Sequence, residues 1–105
     1  MKIRLERMKS SDMRSTRQLA RGEVVETAVD ISVDGIEHRF TVYVKANVQR
    51  SFDASLIYCD AKLEDLLRFE PAALNLVCSL VGKYRRGEEI GLPLVLVDST
   101  SPDGE

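Results

Sequence analysis

The chain has no tryptophan, one histidine, two cysteines and only six phenylalanines and tyrosines in 105 residues, and each shortage removes a class of function. Few aromatics leave little material for base-stacking platforms or for cages around quaternary ammonium ions. One histidine and two widely separated cysteines supply none of the short-spaced ligand pairs of a structural zinc site. A hard cation wants Asp, Asn and Glu crowded into one short loop, and no stretch offers that. Neither the Gly-x-Gly-x-x-Gly turn nor the P-loop pattern occurs, so no phosphate cradle is encoded locally. No cofactor is therefore expected. No apolar run approaches the ~20 residues needed to cross a bilayer. Residues 1–6 (MKIRLE) are too charged for a signal-peptide core. The expectation is a cytoplasmic protein that does not enter a membrane.

What the chain does have is alternation around Asp34-Gly35. Val25, Thr27, Val29, Ile31 and Val33 precede the dipeptide at every second position, and Ile36, His38, Phe40, Val42 and Val44 follow it in the same way. Two half-buried strands joined by an Asp-Gly turn form the strongest short-range hairpin signal. A two-residue loop pairs Val33 with Ile36, then Ile31 with His38, Val29 with Phe40, Thr27 with Val42 and Val25 with Val44. That register leaves one face apolar except for Thr27 and His38. It makes the other face largely polar, with Asp30 opposite Arg39. A three-residue loop would set Ile31 against Glu37 and mix the faces, so that register is rejected.

The rest of the chain reads as an α+β domain in the order β-β-β-β-α-α-β, a mostly antiparallel sheet with two helices on one face. Lys2 to Met8 alternates weakly and forms the first strand. Residues 9–22 are polar and form a loop or, as the alternative, a short helix over 13–20 capped by Asp12. The hairpin covers about 23–33 and 36–48. The run 49–53 (QRSFD) breaks the pattern before a short apolar strand over 55–59. Asp60 suits a helix cap, with Leu63, Leu66 and Leu67 following at helical spacing. Pro71 ends that helix and opens another, because proline fits a first helical position and not an interior. The second helix carries Ala73, Leu74, Leu76, Val77, Leu80, Val81 and Tyr84, which demands cover over most of its circumference. Lys83, Arg85 and Arg86 suit the negative end of the helix dipole, and Gly87 suits the C-terminal cap. The last strand, 92–97 (LPLVLV), is apolar without alternation. Such strands are usually buried on both faces or matched to a partner. One domain over 1–98 and a disordered tail over 99–105 follow.

Charge is unevenly spread. Residues 1–22 hold seven basic and two acidic side chains, a balance of +5, whereas 23–105 hold eight basic and fifteen acidic, a balance of −7. The plain reading lays the basic segment over the protein's own acidic surface or over that of a second copy. The sharper one makes Arg14, Arg17, Arg21, Arg85 and Arg86 phosphate contacts for a nucleic acid. Glu88-Glu89, Asp53 and Asp60 read as solvated loop carboxylates or caps.

Cys59 and Cys78 each sit in an apolar stretch and read as buried reduced thiols that pack as small hydrophobes. His38 reads as a rim residue closing the end of the core and bonding a backbone group. Its alternative role is in a ligand pocket or an enzyme site with a thiol nearby.

Three functions stand in order of expectation. The first is a non-catalytic interaction or assembly module, homodimeric, using Leu94, Val95, Leu96 and Val97. The second is a nucleic-acid accessory protein, and the third a small-ligand binder or enzyme at His38.

Overall fold

The computed structural model describes residues 1–10, 14, 18–46 and 55–99 of the chain. Its elements are β1 (Lys2–Lys9), β2 (Val24–Val33), β3 (Ile36–Ala46), β4 (Ser55–Cys59), α1 (Ala61–Leu66), α2 (Pro71–Arg85) and β5 (Leu94–Asp98). The five strands form one antiparallel sheet in the order β4-β3-β2-β1-β5, with the two helices against one face. The α+β class and the element order are those the sequence predicts.

The hairpin register is the derived one at all ten positions from Val33/Ile36 to Val24/Lys45. Asp34 (φ 50°) and Gly35 (φ 88°) both lie in the left-handed region. That is the backbone of the two-residue turn whose twist matches that of the flanking strands. The apolar face is buried over Val25, Thr27, Val29, Ile31, Val42 and Val44. Burial fades toward the turn, where Val33 and Phe40 are half-buried and Ile36 is 65% exposed.

Asp60 caps α1 as expected, its Oδ1 accepting from the Leu63 N–H at 3.0 Å. Its Oδ2 accepts from the Thr41 N–H at 2.9 Å and so ties the helix start to β3. Burial opposes charging this carboxyl, but the backbone donors outweigh it and hold its pKa below the ordinary value. Pro71 opens α2 at its first turn. At the other end Gly87 (φ 81°) donates to the Tyr84 carbonyl and Glu88 to that of Lys83. Those two bonds close a Schellman cap.

α2 buries Ala73, Val77, Leu80 and Val81, but Leu76 lies at the surface, so its cover is narrower than the composition suggests. Arg85 takes the place in the buried stripe, since 77, 81 and 85 recur at four-residue spacing on one face. Gly82 lets the helix approach β4: a Cβ there would stand 3.3 Å from Ile57 Cδ1.

Several sequence boundaries shift. β1 extends to Lys9, and β5 starts at Leu94, one residue after Pro93, so the proline stands outside the ladder. The expected cap Asp12, half of the 13–20 segment, the break over 49–53 and the tail from 100 onward lie outside the described residues. Ser99 is bonded to the residue ahead of β1, its N–H donating to the Met1 carbonyl at 3.0 Å.

Candidate interaction surface

A five-stranded open sheet has two edges, and here they differ. β5 pairs with β1, but the register slips between Ile3/Val97 and Arg4/Val95, which is a β-bulge. Val97 therefore turns into the core, Leu94 and Leu96 are half-buried, and only Val95 is well exposed, at 43%. A bulge, a proline before the first residue and Asp98 at the end are devices that discourage edge pairing. The surplus apolar surface that the sequence assigns to Leu94, Val95, Leu96 and Val97 is thus largely spent on this chain's own core.

β4 has none of these devices. Its sequence SLIYC carries no charge and no proline, and its pairing with β3 runs without a slip from Val42/Cys59 to Ala46/Ser55. Ile57 and Cys59 face the helices, opposite Val44 and Val42. Leu56 and Tyr58 therefore point to the helix-free face, 51% and 41% exposed. Tyr58 stacks on Tyr43, ring centroids 5.2 Å apart at 20°. In the next row Leu56, Lys45 and Val24 lie side by side, with Val24 44% exposed. Val24, Tyr43, Leu56 and Tyr58, interrupted by Lys45, make a largely apolar and aromatic patch beside a strand edge that no other strand among the described residues covers. The sequence shows β4 as apolar, but only the pairing of β4 with β3 aligns its two outward side chains with Tyr43.

Toward β1 and the hairpin turn the helix-free face carries charged side chains. Arg39 donates to both Asp30 oxygens at 2.7 and 3.1 Å, as the register implies. Arg7 adds a contact that the hairpin alone does not reveal, reaching Asp30 at 2.9 Å and Glu37 at 2.6 and 3.2 Å. A second bulge, between Leu5 and Arg7, places Arg7 opposite Asp30. Hydrogen bonds from Arg39, and then from Arg7, outweigh burial and hold the Asp30 carboxyl at about 2. Ser32 donates to Glu6 at 2.5 Å, and Arg4 pairs with the same carboxylate at 3.4 Å. Basic side chains from the N-terminal strand lie over acidic groups of the same chain, as the plain reading of the charge asymmetry has it.

Of the five arginines named as phosphate contacts, three have partners within the chain. Arg85 is buried, 4% exposed, and donates to Ser10 Oγ and, at 3.1 Å, to the Arg14 carbonyl. Arg14 pairs with Glu23 and Arg86 with Glu88. Arg21 is exposed, and Arg17 lies outside the described residues. His38 is exposed rather than closing the core, its ring centroid 6.3 Å from that of Phe40. It lines an open depression of about 340 Å³ with Val33, Phe40, Lys62, Asp65 and Leu66, which offers no thiol or hydroxyl to activate.

Among the described residues no three His, Cys, Asp or Glu side chains group to hold a metal ion. No helix among them is long and apolar enough to cross a membrane. The two cysteines, far apart in sequence, meet across the β4–α2 contact with their sulfurs 3.8 Å apart and no disulfide between them. No family model, no curated protein and no solved structure matches this chain.

Proposed function

We propose that this chain is a non-catalytic assembly module that forms a homodimer through the β4 edge. One observation carries the reading: β4 is an uncharged, proline-free, bulge-free edge strand whose outward side chains, Leu56 and Tyr58, extend an exposed patch with Val24 and Tyr43. Natural edge strands normally carry a charge, a proline or a distortion that prevents pairing with another chain, and the opposite edge of this sheet has a bulge and Asp98, with Pro93 just ahead of it.

A second copy suits the site for a geometric reason. Two antiparallel copies of one strand, related by a two-fold axis, present the same donors and acceptors to each other. Pairing β4 with its copy would join two five-stranded sheets and bring the Leu56 and Tyr58 rows of both subunits together on one face. The charged half of that face is neutralised internally by the Arg7, Arg39, Asp30 and Glu37 contacts and offers little further attraction. We place the protein in the cytoplasm, where free thiols persist.

Light scattering coupled to size-exclusion chromatography tests the reading across micromolar concentrations. The wild type is expected to reach dimer mass. Leu56→Lys with Tyr58→Lys is expected to give a folded monomer, and Val95→Lys on β5 to leave the dimer intact. A wild type that stays monomeric at every concentration overturns the module, and dissociation by Val95→Lys alone moves the interface to β5.

A further inference from the structure

We propose that Cys59 and Cys78 are a reversible oxidation site, a dithiol that a low-molecular-weight disulfide such as glutathione disulfide converts into an internal Cys59–Cys78 cross-link between β4 and α2.

The geometry carries this. Cys59 ends β4 opposite Val42, on the core face, and Cys78 sits in the middle of α2 beside Val77. Their sulfurs stand 3.8 Å apart, within reach of an S–H···S hydrogen bond in which either can donate, and they form no disulfide. Their strand and helix are held together independently of the thiols. Asp60, next to Cys59, is fixed by the Thr41 and Leu63 N–H groups, and Gly82, one turn beyond Cys78, brings α2 close against Ile57. The fold therefore presents two thiols at short range on elements whose spacing does not depend on them.

The two sulfurs also differ as a redox pair requires. Cys78 is partly exposed, whereas Cys59 is buried. The hydrogen bond shared with Cys59 lowers the Cys78 thiol, against burial and the nearby Glu64 carboxylate, which work in the other direction. The same bond, followed by burial and the charge of Cys78, raises Cys59. Cys78 is thus the accessible thiol and Cys59 the protected partner, a division that matches attacking and resolving roles.

The chemistry balances. The Cys78 thiolate attacks one sulfur of glutathione disulfide, forming a Cys78–glutathione bond and expelling the other glutathione as thiolate. Cys59 then gives up its proton and attacks Cys78 Sγ, forming the protein disulfide and releasing the second glutathione. The protein loses two electrons and the small disulfide gains them; the two thiol protons end on the two released glutathiones. Excess reduced glutathione runs the sequence backward.

The test is equilibration of the full chain with a series of oxidised-to-reduced glutathione ratios, acid quenching, alkylation and intact mass. The wild type is expected to pass from two alkylated thiols to none, as a single chain without attached glutathione. Cys59→Ser should stop at a stable glutathione adduct on Cys78. Cys78→Ser should acquire adduct roughly tenfold more slowly, because its remaining sulfur is buried. Two free thiols in the wild type at every ratio, a lasting glutathione adduct on it, or a disulfide joining two chains would each overturn the proposal. Faster adduct formation in Cys78→Ser than in Cys59→Ser would overturn the assigned order of attack.

Discussion

Asp34 and Lys2 are bonded twice: the Asp34 carboxylate accepts from the Lys2 backbone N–H at 2.8 Å, and the Asp34 N–H donates to the Lys2 carbonyl at 2.9 Å. One turn residue thus closes the β2–β3 hairpin and also secures the start of β1. It does so with φ at 50°, where a side chain other than Asn or Asp is strained. Asp34→Ala loses the acceptor and the tolerance for positive φ together and should cost about 1–2 kcal/mol. Asp34→Asn keeps both and should cost less than half of that. Urea unfolding of the two variants decides, and equal stabilities would refute the account.

Thr27 is fully buried opposite Val42, and its hydroxyl has no hydrogen-bond partner among the described residues. An unpaired buried hydroxyl costs roughly 1–3 kcal/mol relative to a paired one. Thr27→Val keeps the β-branched shape and removes the orphan group. We expect a gain of about 1 kcal/mol, read as a rise in Tm of roughly 4–8 °C. An unchanged or lower Tm would show that the hydroxyl is satisfied in solution.

Asp30 makes the fold acid-sensitive in a defined window. Its carboxyl falls from 3.8 to about 2 in the folded chain, chiefly through Arg39 and then Arg7. A depressed folded value means that its stabilisation is complete above the unfolded value. That stabilisation is lost as pH falls from about 4 through about 2. Both guanidinium partners are largely in solvent, so the contribution is discounted to about 1 kcal/mol. Asp30→Asn should flatten the stability–pH curve in that window, measured by denaturant midpoints. A curve parallel to the wild type would exclude the assignment.

Arg85 and Arg86 are neighbours with opposite fates. Arg85 lies within the packed end of α2 and bonds Ser10 and the Arg14 carbonyl, whereas Arg86 pairs with Glu88 in solvent. Arg85→Ala strands those acceptors and should cost about 2 kcal/mol or more. Arg86→Ala should stay within about 0.5 kcal/mol. Comparable losses in thermal melts would contradict the burial of Arg85.

Local chemistry made much of this fold legible. The Asp-Gly turn and period-two apolar spacing specify the hairpin to the residue, because a slip of one position would turn every buried side chain outward. Asp60, Pro71 and Gly87 mark helix ends because unpaired backbone groups, a missing N–H and a left-handed cap are properties of single residues. The candidate surface was harder to see. An arginine at a helix end looks the same in sequence whether it points outward or continues the 77, 81, 85 stripe, and an apolar final strand looks the same whether its surplus meets its own core or another chain.

Length, charge distribution, the hairpin and its register, the helix starts and stops and the α+β order belong to the sequence by itself, since each follows from interactions within a few residues or across one turn. Tertiary structure decided which strands became edges, where the bulges at Leu5/Arg7 and Ile3/Arg4 fell, and that Cys59 and Cys78 meet. Those outcomes depend on strands and helices far apart in the chain competing for one core, and no local pattern records which of them wins.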